Sequence, residues 1–386
     1  MINLAIAYNF NDQDWHGGRN YFASLFRAIE SVADGRIRLH LVIGHNTKTS
    51  LPEEFPSVEV LRTKLMDRLH PIWLLRQLGL RAFDTDPLLA RYLSEQGIDV
   101  LSHSSQLGRQ NQVKTIPWLY DFQFMHLPEL WQKRHIRWAE QRYRAACRNG
   151  DAVIVSSSQA LEDLHRFAPW CAKPKFVLRF ISNPVDFSKL PSKQTIAATY
   201  DLPSDFFYLP NQFWANKNHR VVIDALVSLR ARNIKTTIVC TGQTVDGRQP
   251  KYFSHLMEYL AASGQRDRFR VLGVVPYQHA QALLAHCRAM INPSLFEGWS
   301  TTVEEAKTLH KTMLLSDIPV HREQCSSRAS FFSPHNADQL ADLIEATLQQ
   351  PPGSINPKRI STDYATRLAE FGQSYLEILD SVTPIS

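Results

Sequence analysis

Ile291-Asn292-Pro293-Ser294-Leu295-Phe296-Glu297-Gly298-Trp299-Ser300-Thr301-Thr302-Val303-Glu304-Glu305-Ala306-Lys307 is the stretch on which the reading of the whole chain turns. An apolar strand ends at Pro293, a short loop follows, and a helix is predicted from Thr301 or Thr302. Gly298 stands in the loop, where the backbone can take φ > 0 or come close to a ligand. The first turn of such a helix has free N–H groups and the positive end of the peptide dipoles, which suits a diphosphate. Glu297 lies before it and Glu305 within its first two turns. A carboxylate accepts charge-assisted bonds from hydroxyls, so the two can grip different parts of one ligand, sugar hydroxyls and a ribose. A plainer pattern fits as well. Thr301-x-x-Glu304 and Thr302-x-x-Glu305 both have capping-box spacing, which needs no ligand. Spacing leaves both readings open.

Working outward, apolar β-rich runs alternate with helical patterns. Upstream strands are predicted at 2–7, 38–43, 57–61, 99–102, 115–120, 152–156 and 176–182. Ala152-Val153-Ile154-Val155-Ser156, with a helix at 158–167 behind it, reads as a buried parallel strand and its crossover. A polar stretch with breakers, from Asn183-Pro184-Val185-Asp186 through Pro203, reads as a linker. Strands are then predicted at 206–209, 235–241, 269–272, 289–292 and 312–316. Helices are predicted near 217–231, 249–263, 277–287, 301–310 and 336–348, with a last one over 362–381. Two βα series joined by one linker predict two doubly wound α/β domains facing across a cleft.

The 386 residues agree with two or three domains at roughly 150 residues each. With 44% hydrophobic and 21% charged residues the chain is neither disordered nor fibrous. Its cysteines, Cys147, Cys171, Cys240, Cys287 and Cys325, are odd in number and far apart, which argues against a disulfide scaffold or a structural zinc site. The start, Met1 to Asn9, reads as a strand and not as a secretory signal. No run approaches the roughly 20 apolar residues of a membrane span, so a cytoplasmic protein is expected.

The net charge of +6 is unevenly placed. Lys133, Arg134, Arg137, Arg142, Arg144 and Arg148 share one predicted helix, with Trp131 and Trp138 among them. A second basic, apolar stretch runs from Leu61 to Arg76. Two readings compete: solvated helix faces with the aromatic rings turned to the core, or contact with an anionic membrane surface by a protein peripheral on its inner face. No nucleic-acid motif accompanies the charge. Asp84-Thr85-Asp86 is a DxD, yet Pro87 follows it, which makes Asp86 a helix start and not a metal ligand. The absence of Gly-x-Gly-x-x-Gly after a strand disfavours a nicotinamide dehydrogenase, and the absence of Gly-x-Ser-x-Gly disfavours an α/β-hydrolase.

The 291–307 stretch resembles the Glu-x7-Glu signature of the GT4 family of retaining glycosyltransferases, which have the GT-B fold. Ser316-Asp317-Ile318-Pro319-Val320-His321-Arg322-Glu323 matches that family's continuation. So does the order of Gly17-Gly18, the strand-plus-Ser region 152–158, the lysine near 217 and the Gly273-Val274-Val275-Pro276 turn. The likeness covers nearly the whole chain and is looser in the first half.

The resemblance implies a Rossmann-like acceptor-side domain over 1–186, a Rossmann-like nucleotide-sugar domain over 187–361, and a C-terminal helix over 362–386 packing back toward the first. Glu297 would hold the donor sugar and Glu305 the ribose, with Gly298 and Val274 beside the donor. Backbone N–H groups of Trp299, Ser300 and Thr301 would face the sugar and diphosphate. Lys217 would neutralise the phosphates, although Gln212 stands where the family usually has an arginine. Gly17 and Gly18 would form a turn that lets the backbone approach the phosphates. Where the family often has His-Asp, this chain has Tyr120-Asp121, which leaves Asp121 and His126 as active-site candidates.

The implied activity is metal-independent, retaining transfer of a sugar from a UDP- or GDP-sugar to a glycan or lipid-linked acceptor. No cofactor is implied beyond that co-substrate, and the family's commonest setting is bacterial surface polysaccharide synthesis. Two other classes fit the sequence: a GT-B sugar-nucleotide epimerase or hydrolase, and a non-catalytic sugar-nucleotide-binding subunit of a glycan assembly complex.

Overall fold

A computed structural model describes residues 1–11, 16–103, 107–108, 112–325, 327–351, 353 and 356–383. The chain forms two compact units. The first comprises Met1–Phe122, Arg134–Ser182 and Ala365–Ser386, the second Gln123–Lys133 and Asn183–Tyr364. The segment 123–133, which the chain passes through between two parts of the first unit, therefore belongs with the second.

In the first unit, β1 (Ile2–Ala7), β2 (Ile37–Ile43), β3 (Glu59–Arg62), β4 (Val100–Ser102) and β5 (Lys114–Ile116) form a parallel sheet of order β3-β2-β1-β4-β5. β6 (Trp118–Leu119), β7 (Val153–Val155) and β8 (Lys175–Val177) form a second parallel sheet. Pro117 separates β5 from β6. It has no N–H to give a ladder, but its carbonyl accepts from Ile154 at 2.9 Å, so one extended run serves both sheets.

Gly17 and Gly18 do not make the expected turn. They sit in the first turn of the helix His16–Val32. The C-terminal helix Pro357–Val382 is longer than expected and enters the first unit at Ala365. There Phe371, Tyr375, Leu376, Ile378 and Leu379 are buried.

In the second unit, β9 (Phe207–Leu209), β10 (Ile238–Thr241), β11 (Phe269–Gly273), β12 (Met290–Asn292), β13 (Met313–Ser316) and β14 (Ala329–Phe332) are parallel in the order β11-β10-β9-β12-β13-β14. That is the doubly wound order, and its reversal lies between β9 and β12. Strand alternation sends Phe207, Leu209, Ile238, Cys240, Ile291 and Leu314 to one core, and Tyr208, Val239, Met290, Met313 and Leu315 to the other. Both faces are apolar, hence helices cover both.

The stretch 183–203 is not a plain linker. It holds a turn of 3₁₀ helix at Phe187–Lys189 and the helix Lys193–Tyr200, whose Ile196 is buried in the second unit's core. β14 was not predicted, because Ala329-Ser330-Phe331-Phe332 is too short to stand out from the loop around it.

Candidate functional site

In a doubly wound sheet, ligands bind at the carboxyl ends of the strands where the order reverses. For the second unit these are the ends of β9 and β12, and the loops leaving them are 210–217 and 293–300. The loops are tied together. Asn211 Nδ2 donates to Asn292 Oδ1 at 3.0 Å, Leu295 N–H to Asn216 O at 2.8 Å, and Asn218 Nδ2 to Pro293 O at 3.1 Å. Gly242, at the end of β10, has φ 143°, and a Cβ there would lie 2.6 Å from Asn211 O and 2.7 Å from Gln212 Cα. A side chain at 242 would push the 210–217 loop out of place.

The loop at 293–300 is pinned from both ends. Asn292 Oδ1 accepts from Ser294 N–H at 3.2 Å, and Asn292 Nδ2 donates to Ser300 Oγ at 3.0 Å. Gln324, from the helix Pro319–Gln324, accepts from Ser300 N–H at 2.9 Å and donates to Ser300 O at 3.1 Å. The helix Thr301–Thr308 has Ser300 as its N-cap, yet the Ser300 side chain makes no capping bond. The capping-box reading therefore fails. Glu304 is wholly buried and is bonded to Lys307 Nζ at 2.9 Å and Gln324 Nε2 at 3.1 Å. Gln324 also takes the Ser300 N–H, so that group does not face a ligand as expected.

Glu297 and Lys217 meet. Lys217 Nζ donates to Glu297 Oε1 at 2.6 Å, and Ser294 Oγ lies 2.6 Å from the same oxygen. Glu297 is 9% exposed. Burial alone would raise its carboxyl. Lys217, His321 and the Ser294 hydroxyl outweigh burial and hold it below the usual carboxylate value. His321 is wholly buried, and burial lowers its ring's basicity. Its Nδ1 donates to the Ser316 carbonyl at 2.9 Å.

Glu305, half-buried in the second turn of its helix, accepts from Tyr277 O–H at 3.2 Å. Burial pushes its carboxyl up to about 7, against the pull of hydrogen bonds from Tyr277 and Gln281. The two acids thus differ in character. Glu297 has its carboxyl lowered by the cation beside it, whereas Glu305 titrates near neutrality.

Gly298 is half-buried, Trp299 lies under Lys307 with Nζ 6.0 Å from the ring centre, and Thr301 opens the helix. Gln212 and Val274 are exposed, and Gly273 turns the chain with φ 68°. Gly17, Gly18 and Asp121 lie in the first unit, where Tyr143 O–H donates to the Asp121 carbonyl at 2.9 Å. His126 ends the short helix Gln123–His126 in the second unit, and its ring lies 4.8 Å from the Phe296 ring at 31°.

Sequence reasoning passed over Arg248, in the loop after β10. Its Nε donates to Asp246 Oδ1 at 3.0 Å, its Nη2 to Asn216 Oδ1 at 3.1 Å, and its Nη1 to Gln123 Oε1. The guanidinium lies 5.4 Å from the Trp131 ring centre and 5.2 Å from that of Trp214. It fastens the segment 123–133 to the loop that carries Lys217. Nothing in Val245-Asp246-Gly247-Arg248-Gln249-Pro250 sets it apart from an ordinary turn.

Residues 200–367 match the family model described as glycosyl transferases group 1. The matched stretch contains both loops of the site. A comparison with curated proteins finds no match. Among solved structures, a glycosyltransferase from Rickettsia africae is 14% identical, covers 100% of this chain and 99% of its own, and has a TM-score of 0.67. HepE from Anabaena, in complex with UDP and glucose, is 15% identical, covers 100% of both chains, and has a TM-score of 0.62. Sucrose-phosphate synthase from Thermosynechococcus elongatus is 14% identical, covers 97% of this chain and 94% of its own, and has a TM-score of 0.64. The shared fold is GT-B: two α/β units, each on parallel sheets.

Proposed function

We propose that the chain is a retaining GT4-type glycosyltransferase that takes a sugar from a UDP- or GDP-sugar and passes it to a glycan or lipid-linked acceptor in bacterial surface polysaccharide synthesis. The observation that supports this is the Lys217–Glu297 pair, 2.6 Å apart, between the two loops at the sheet's order reversal and before the 301–308 helix. The Anabaena complex with UDP and glucose favours a uridine donor.

A diphosphate arriving there competes with Glu297 for the lysine ammonium. Lys217 turns to the phosphates, and the freed Glu297 carboxylate accepts sugar hydroxyls. Glu305, ionised, accepts from the ribose hydroxyls. The N–H groups of the first helical turn add positive potential where the leaving diphosphate gains charge, a kind of stabilisation often worth several kcal/mol. Side-chain and backbone donors then carry out the neutralisation that a metal performs elsewhere. The C1–O bond to phosphate breaks and the acceptor oxygen bonds to C1 on the same face. The acceptor's proton passes to the departing phosphate oxygen, so no dedicated base is required. His126, held on Phe296 beside Glu297, would then bind and orient rather than abstract the proton.

A thermal-shift panel of UDP-, GDP- and ADP-sugars tests this. One nucleotide class raises Tm by mass action, and Lys217→Ala and Glu305→Ala each shrink the shift. Absence of any shift across the panel would overturn the proposal.

A further inference from the structure

The helix Pro71–Phe83 is inside out for a protein in water. Of its residues only Arg76 is buried, at 6% exposure. The guanidinium gives bonds to Asp86 Oδ1 at 3.1 Å and to Oδ2 at 2.9 and 2.8 Å, and reaches the Leu65 carbonyl. Asp86 is 1% exposed and caps the next helix, Pro87–Glu95, by accepting from Leu89 N–H at 3.1 Å. The charged group is therefore the anchor.

The leucines point the other way. Leu74, Leu75 and Leu78 are exposed, Leu75 at 59% and Leu78 at 61%. At 100° per residue they fall, with Ala82, in one stripe. Ile72 and Phe83, near the two ends of the helix and toward its Arg76 side, are exposed as well, and so is Leu69 just before the helix. An apolar stripe of this kind on a water-facing helix marks a surface that meets something apolar.

The charge around it selects the partner. Arg62, Lys64, Arg68 and Arg81 are all exposed, whereas the single acid between Arg62 and Phe83, Asp67, is buried and paired with His45 at 3.3 Å. Arg148, at the end of the basic helix Lys133–Asn149, reaches Asp84, which caps the 71–83 helix, at 3.4 Å and neutralises that acid as well. Leucines ringed by uncompensated cations suit the boundary of an anionic bilayer, where the apolar stripe sinks among acyl chains and the cations meet lipid phosphates. A symmetric dimer through the same stripe would bring like charges together.

We propose that the 71–83 helix is a membrane-docking face that lays Leu74, Leu75 and Leu78 into the surface of an anionic bilayer. No helix among the described residues is long and apolar enough to cross a membrane, so the docking is interfacial.

Flotation of the full-length chain with vesicles tests this. Wild type should float with phosphatidylcholine–phosphatidylglycerol vesicles, far less with phosphatidylcholine alone, and be released by salt. Leu75→Glu/Leu78→Glu, which alters only exposed positions, should cut the bound fraction about tenfold or more while leaving Tm and any nucleotide-sugar shift unchanged. Wild type that stays down with anionic vesicles, or a double variant that floats equally well, would overturn the inference. So would a wild-type dimer that the double variant makes monomeric without any vesicle binding. The nucleotide-sugar shift is read separately, so failure of the docking face and failure of the donor site are distinguishable.

Discussion

Glu305 carries the clearest titration. Its carboxyl, raised to about 7 by burial, keeps its proton in the folded state over a range where the unfolded chain has already lost it. The folded state then binds more protons, so stability is greatest below the ordinary carboxylate value, falls as pH rises, and is fully reduced above about 7. Glu305→Gln should therefore leave Tm unchanged near pH 4 and raise it at pH 8. The gain should be of order 1–3 kcal/mol after allowance for partial exposure. Donor affinity should move oppositely, rising with pH through about 7 as the carboxylate forms. A Tm difference independent of pH would contradict this account of Glu305. The places of Glu297, Glu305 and Lys217 in the fold were legible, because each stands close to a strand or helix end. Gln324, Arg248 and His321 were not. Their partners are brought to them by folding, as with Gln324 and Ser300, 24 residues apart.

Among the elements, long apolar runs and periodic helices could be read. The helix Ser158–Phe167 and the strand Ile2–Ala7 have their predicted bounds. Errors fell where local chemistry pointed one way and tertiary contact the other. Gly17-Gly18 has turn composition but lies in a helix, where Tyr21, Phe22, Leu25 and Phe26 are buried a turn further on. One of the two readings of the basic helix turned Trp138 to the core; it is 52% exposed, with Arg142 over its ring at 5.5 Å. Glycine matters differently at Gly372. A Cβ there would run into the Ala28 carbonyl, so the C-terminal helix passes directly over the 16–32 helix. Gly372→Ala should cost about 1–3 kcal/mol, against the slight gain expected from helix propensity alone. Urea unfolding measures it, and an unchanged or raised midpoint would show that the two helices are not in such close contact.

At the scale of the whole molecule, two alternating series of strands and helices were enough to give two doubly wound units, because each unit's strands carry their own apolar pattern. Sequence order could not show that 123–133 belongs with the second unit, since that membership rests on Arg248, Trp131 and the His126–Phe296 contact. The account's centre is that the second unit's order-reversal loops hold a nucleoside diphosphate through Lys217. Calorimetric titration of wild type and Lys217→Ala with UDP and with GDP tests it most directly. Lys217→Ala also leaves Glu297 buried without its cation, so the same titration is run on Lys217→Ala/Glu297→Gln, which removes that burden. The account predicts that wild type binds one of the two nucleotides and that both variants bind it about tenfold more weakly or worse, a loss of about 1.4 kcal/mol or more. Affinity equal to wild type in the double variant would contradict it.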